Sequence, residues 1–285
     1  MKSLTKHIGR TIVTFAAILS LVFGIGAGIN LNDAYAASDE DYTYKHFYSR
    51  LSPDTRAEKF YAAYEKLAES GEFKKGAIEY DVLSNGFTDA ADVSAYINGT
   101  DNKIIKAFGA GRDAFIMDHP DLFYVDLFGT SLSMGMQKNN CAAYLDSSRV
   151  LTLYSGSINT EKAVNAAIAK YEAKLDEIVA AAKAAGTQPK EQIEFVNKYI
   201  CDNTVYSFGT EIKDGRNVDT PAAAYISTAY GSLVNGQAIC GGYAKGFKAV
   251  MDRLGIPCVC VQGYSKRNGN MEPHMCNYVE LDGMW

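Results

Sequence analysis

The chain has 285 residues, with 28 Lys and Arg against 33 Asp and Glu, for a formal net charge of −5. A mildly acidic chain without a basic block is a poor nucleic-acid binder, so no nucleic-acid partner is expected. The length allows one large domain or two small ones.

The chain opens with Lys2, Lys6 and Arg10, followed by an apolar run from Thr11 to about Ile29 and the small-x-small triplet Ala34-Tyr35-Ala36. That order predicts a secretory signal peptide over residues 1–36. The run is nearly long enough to be an uncleaved membrane anchor. The triplet, and the polar Ala37-Ser38-Asp39-Glu40-Asp41 after it, favour cleavage, so a secreted or cell-surface protein that leaves the membrane is expected.

A first helix is predicted from Ser52-Pro53-Asp54, with Ser as N-cap and Pro in the first turn, to a stop at Gly71. Phe60, Ala63, Tyr64 and Leu67 form its apolar face. A second covers about Asn102 to Met117 and ends at His119-Pro120. Strands are predicted over Leu122 to Phe128, Ala142 to Leu145 and Arg149 to Tyr154. Residues 37–158 thus read as a small α+β region with no motif that carries chemistry. A change of charge and pattern near Asn159 opens a second unit, 159–285. It begins with a long helix, Glu161 to about Ala185, striped by Val164, Ile168, Tyr171, Leu175 and Ile178. A further helix follows from Pro189 to about Cys201.

Cys240 opens the next helix, whose apolar face is Tyr243, Phe247, Val250, Met251 and Leu254, with Gly255 as its stop. A strand from Cys258 to Tyr264, a polar loop over Ser265 to Asn270 and a strand from Met275 to Leu281 are predicted after it. Asp282-Gly283 signals a two-residue hairpin turn.

All six cysteines, Cys141, Cys201, Cys240, Cys258, Cys260 and Cys276, lie beyond the leader. Export permits disulfides. Cys258-x-Cys260 with Cys276 lacks the Cys-x-x-Cys spacing of a zinc site, so no metal or cofactor is called for. Cys258, Cys260, Cys141 and Cys201 read as structural thiols or disulfides. Cys240 differs. At a helix start, the unpaired N–H groups and positive dipole end favour a thiolate. Gly241 and Gly242 weaken the helix by roughly 1 kcal/mol each relative to Ala, and read as leaving the thiol open to a bulky substrate.

A thiolate nucleophile needs a base. Three histidines lie beyond the leader. His119 sits at a helix stop and His46 in the aromatic run Tyr44-Lys45-His46-Phe47-Tyr48, which leaves His274, at the start of a strand. A two-residue turn at Asp282-Gly283 pairs Leu281 with Met284 and Glu280 with Trp285, and would set positions 289 and 291 opposite Cys276 and His274. A group that orients the imidazole is therefore expected past Trp285. Strand alternation points Asn277 to the opposite face, and Asp282 is in the turn.

The segment Thr228-Ala229-Tyr230-Gly231-Ser232-Leu233-Val234-Asn235-Gly236-Gln237-Ala238-Ile239-Cys240-Gly241-Gly242-Tyr243-Ala244 resembles the cysteine block of bacterial transglutaminase-like proteins. Leu254-Gly255-Ile256-Pro257, Val261-Gln262-Gly263, His274-x-x-Asn277 and Leu281-Asp282-Gly283-x-Trp285 look like the blocks that follow it. The resemblance implies an α+β, papain-like transglutaminase core, with a nucleophile helix packed on an antiparallel sheet. It implies Cys240 as nucleophile, His274 as base and an Asp on the strand after the Trp, so 159–285 reads as a core truncated before its acid. Cys276 stands where the family often has Trp.

This chemistry is acyl transfer on a peptide or side-chain amide through a Cys240 thioester. The N–H of Cys240 is the natural oxyanion donor and Gln237 a candidate second one. Water as acceptor gives a cysteine peptidase or hydrolase, the favoured reading, acting on a protein or peptide that is cell-wall associated or free. A lysine amine gives a cross-linking transglutaminase. A non-catalytic surface module is the competing class, and oligomeric state is left open.

Overall fold

The computed structural model describes residues 47, 51, 55–69, 71, 79–81, 94–96, 98–125, 131–137, 140–146, 160–267 and 269–285. The leader expected over 1–36, the Ser52-Pro53-Asp54 cap and the strand expected over 149–154 lie outside the described residues. Among the described residues no helix is long and apolar enough to cross a membrane.

The first helix, α1, spans Thr55–Glu69 and buries Phe60, Tyr61, Tyr64 and Leu67. It packs on α2, Lys103–Asp118, through Phe60 against Phe108 and Tyr64 against Phe115, with ring centroids 5.3 and 5.5 Å apart. Gly111 is where the two backbones meet: a Cβ there would lie 2.5 Å from the Ala57 carbonyl oxygen. Asp118, fully buried at the end of α2, accepts the Tyr61 hydroxyl at 3.1 Å and the Phe47 N–H at 3.0 Å.

A three-stranded antiparallel sheet, in the order β1-β3-β2, comprises β1 (Glu79–Asp81), β2 (Ser131–Gln137) and β3 (Asn140–Asp146). Of these strands the sequence announces β3 alone. The strand expected from Leu122 is instead a pair of turns through Val125, closed by Leu122 N–H to His119 O and Val125 N–H to Leu122 O. Phe123 and Tyr124 are buried by side-chain packing rather than by a ladder, and residues 126–128 lie outside the described residues. Phe123 stacks on Tyr230 at 4.6 Å and touches Tyr171 at 5.0 Å.

Two long helices follow, and both match their sequence signals. The first, α3 (Glu161–Ala185), starts at Thr160, whose hydroxyl accepts the Ala163 N–H, and buries one apolar stripe. The second, α4 (Pro189–Asn203), starts with a capping box between Gln188 and Glu191. Short strands β4 (Val205–Tyr206), β5 (Thr210–Lys213) and β6 (Arg216–Asp219) lead to a 3-10 turn at Pro221–Ala224 and the short helix α5 (Ala229–Leu233). Then come β7 (Gln237–Ala238), parallel to β4, and α6 (Cys240–Leu254). Gly255, at φ 73°, ends α6 in the left-handed conformation that glycine adopts without steric cost.

The chain closes with an antiparallel hairpin of β8 (Cys258–Arg267) and β9 (Asn270–Val279). The polar loop expected over 265–270 is therefore mostly strand: Ser265 pairs with Glu272 and Arg267 with Asn270. The physical reason is the turn. Gly269 has φ 85°, the handedness a two-residue hairpin requires, so polar residues continue the ladder up to it. The expected hairpin at Asp282-Gly283 is present, with Leu281 opposite Met284 and positive φ at both turn residues.

One buried apolar cluster joins α1 and α2 to α3, α4, α5 and α6, from Phe60 through Tyr171 to Val250 and Cys258. The result is an α+β arrangement in which α6 lies between other helices and the β8–β9 hairpin. Arg253 ties α6 to α3 from outside by pairing with Glu172 and Asp176.

Candidate active site

Cys240 is the first residue of α6 and is partly exposed. Ile239 before it has extended backbone and offers no side-chain cap. The N–H groups of Gly242 and Tyr243 turn back to the Ile239 carbonyl. This leaves the first-turn donors of Cys240 and Gly241 without an acceptor among the described residues, beside a thiol at the positive end of a helix.

Of the two glycines after Cys240, Gly242 is required by packing, whereas the sequence expectation gave both to access. Both are buried. A Cβ on Gly242 would fall 2.3 Å from the Ile226 carbonyl oxygen and 2.7 Å from the Ala238 Cβ; on Gly241 the nearest atom would be the Ser227 carbonyl oxygen at 3.6 Å. So Gly242 is where α6 meets the preceding segment. Ser232, buried in α5, fixes the same junction by donating its hydroxyl to the Gly242 carbonyl at 2.8 Å. Gly246 leaves room for that hydroxyl, which a Cβ would approach to 2.1 Å.

His274 lies on β9 opposite Gly263 and is exposed. Strand alternation puts it on one face with Cys276, while Asn277 points to the other. Asn277 donates its amide to the Ala244 carbonyl of α6 at 3.0 Å and sits against the buried thiols of Cys258 and Cys260, 3.6 and 3.7 Å away. Sequence reasoning dismissed Asn277 as an orienting group for His274. Its place is different: it docks the histidine strand on the nucleophile helix.

A cleft of about 260 Å³ runs between α4, α6 and β9, and both Cys240 and His274 line it. The structure thus brings the two principal sequence candidates to one cavity. Gln237 is not among its lining residues. It lies exposed in β7, paired with Val205 of β4. His119 is elsewhere, its ring tilted against Phe115 with centroids 4.3 Å apart and its Nε2 3.2 Å from the Tyr61 hydroxyl; His46 lies outside the described residues.

Sequence reasoning missed Tyr206 and Cys201, which also line the cleft. Tyr206 stacks on Tyr243 at 6.1 Å, and Tyr243 donates its hydroxyl to the Thr204 carbonyl. The parallel register of β4 with β7 carries Tyr206 there, and a two-residue strand leaves too little periodicity to announce itself. Cys201 is exposed rather than a buried packing thiol, because it faces outward from the last turn of α4.

Behind the cleft, α6 carries a buried ion pair. Lys248 donates to both carboxylate oxygens of Asp252 at 2.9 Å, one turn apart on the helix. Burial pushes the Asp252 carboxyl up to about 7, against the opposing pull of Lys248. Burial also raises the thiols of Cys258 and Cys260, the latter to about 12, so both stay protonated.

A cysteine on the first turn of a buried helix, an antiparallel hairpin docked on that helix and a histidine on the hairpin lining the same cleft together make the candidate site, in an α+β arrangement consistent with a papain-like core. Residues 176–285 match the family model described as the transglutaminase-like superfamily, so this part of the chain is a transglutaminase-like superfamily domain. Folds of this superfamily are those of cysteine peptidases and transglutaminases. No curated protein matches the chain.

Proposed function

We propose that the chain is an exported thiol enzyme that transfers the acyl group of a peptide or side-chain amide through a Cys240 thioester, with water as the principal acceptor. The observation that carries this reading is that Cys240 and His274, on separate elements, line one cleft. Cys240 gives its thiol proton to His274 as its sulfur attacks the amide carbonyl, and the oxyanion that forms accepts the N–H of Cys240, one of the two first-turn donors left free. The C–N bond then breaks as His274 delivers a proton to the departing amine. Water, losing a proton to His274, attacks the thioester and restores the thiol. Gln237, outside the cleft, has no part in this scheme.

The order of basic, apolar and small residues over 1–36 supports export, and with it a protein or peptide substrate outside the cell, including one in the cell wall. The test is to incubate the protein with a glutamine-containing peptide library, quench in acid and map adducts by mass. An acyl adduct on Cys240, with release of ammonia or of a shortened peptide, supports the reading. Products that form equally with Cys240→Ala would overturn it. Adding a primary amine separates the acceptors: hydrolysis gives mainly acid, and a cross-linking transglutaminase gives mainly the amine conjugate.

A further inference from the structure

Cys240 shares its cleft with two thiols that the acyl-transfer scheme does not use. Cys201 comes from the last turn of α4 and Cys276 from β9; both are free, exposed and line the cleft. Cys258 and Cys260 are fully buried on the other face of the hairpin from Cys276, where burial keeps them protonated. Of these five cysteines, three therefore line one open cleft and two are shut out of it.

Two independent ties hold the end of α4 against the start of α6. β4, which follows α4 after Thr204, pairs with β7, two residues before Cys240, with Val205 opposite Gln237. Tyr243, on the first turn of α6, donates to the carbonyl of Thr204. Cys201 and Cys240 sit on the two segments so joined. Cys276 is held in the body of a ten-residue strand, opposite Val261, where its main chain cannot yield without breaking the ladder. Cys201, on the last turn of a helix, is freer to adopt the narrow geometry that a disulfide demands.

We propose that Cys201 and Cys240 form a reversible dithiol–disulfide pair across the cleft, so that oxidation masks Cys240 and reduction uncovers it. The oxidant is a low-molecular-weight disulfide. The Cys240 thiolate attacks one of its sulfurs, a mixed disulfide forms and one small thiolate leaves. The Cys201 thiolate then attacks the Cys240 sulfur, and the second small thiolate leaves. Two electrons pass from the protein to the small disulfide, and the two cysteine protons pass through solvent to the departing thiolates, which become two thiols. The inference requires only an accessible Cys240 and stands apart from amide turnover.

The test uses the full chain with oxidised glutathione as the probe, followed by iodoacetamide labelling and peptide mass mapping. The expected result is a Cys201–Cys240 linked peptide, with Cys240 labelling reduced on the order of tenfold and restored by a reductant. Cys201→Ala should instead trap glutathione on Cys240, and Cys276→Ala should behave as the wild type. The proposal is overturned if Cys240 labels at the unoxidised rate, if it pairs with Cys276, or if its disulfides form only between chains.

Discussion

The side-chain amide of Asn277 donates to the main-chain carbonyl of Ala244 at 3.0 Å, fastening the strand that carries His274 to the helix that begins at Cys240. Ala244 is one turn beyond Cys240 and Asn277 three residues beyond His274, so this bond helps to fix the two candidate catalytic groups relative to each other. Asn277→Leu should cost about 1–3 kcal/mol of stability, the range for removing a buried hydrogen-bond partner. A positioning role adds a second readout. The accelerating effect of His274 on Cys240 alkylation should shrink in this variant under conditions where it remains folded. A denaturant titration and alkylation kinetics on one preparation check both.

The two glycines after Cys240 should respond oppositely to a methyl group. Gly242→Ala drives a Cβ into the Ile226 carbonyl and the Ala238 side chain, with overpacking expected to cost about 1–3 kcal/mol. Gly241→Ala meets only ordinary contact with Ser227 and removes a helix-weakening glycine, so stability should hold or rise. Melting temperatures of the two variants decide the point. Equal losses would contradict the packing account of Gly242.

The Lys248–Asp252 pair predicts a pH dependence. Burial raises the Asp252 carboxyl from 3.8 to about 7. Between those values the folded chain holds a proton that the unfolded chain has released. The contribution of this group is therefore fully present below about pH 4, falls as pH rises towards 7 and is flat above that. Asp252→Asn cannot ionise, so it should match the wild type near pH 4 and be the more stable of the two at pH 8. Lys248→Met removes the opposing charge and should extend the loss to higher pH. Urea midpoints from pH 4 to 8 measure all three proteins.

The elements that sequence reasoning found are those with strong local signals. The apolar stripe of α3, the Pro189 start of α4 and the Gly255 stop of α6 each encode one element within its own residues. The hairpin at Asp282-Gly283 was equally plain. The misread elements depend on partners distant in the chain. Leu122 to Val125 has the composition of a strand, but Phe123 finds its burial on Tyr171 and Tyr230. The polar residues from Ser265 to Asn270 look like a loop, yet the ladder pairs Ser265 with Glu272, Lys266 with Met271 and Arg267 with Asn270. In the candidate site, a cysteine at a helix start and a histidine on a following strand could be picked out singly. The places of Tyr206, Cys201 and Asn277 in it became visible only once β4 had paired with β7 and β9 had docked on α6.

The most direct test of the central claim is the rate of Cys240 alkylation as a function of pH, in the wild type and in His274→Ala, under reducing conditions. If Cys240 is a nucleophile served by His274, the wild-type thiol is alkylated faster than free cysteine at neutral pH, and His274→Ala slows it towards the free rate. A wild-type profile matching a free cysteine, unchanged by His274→Ala, would contradict the claim.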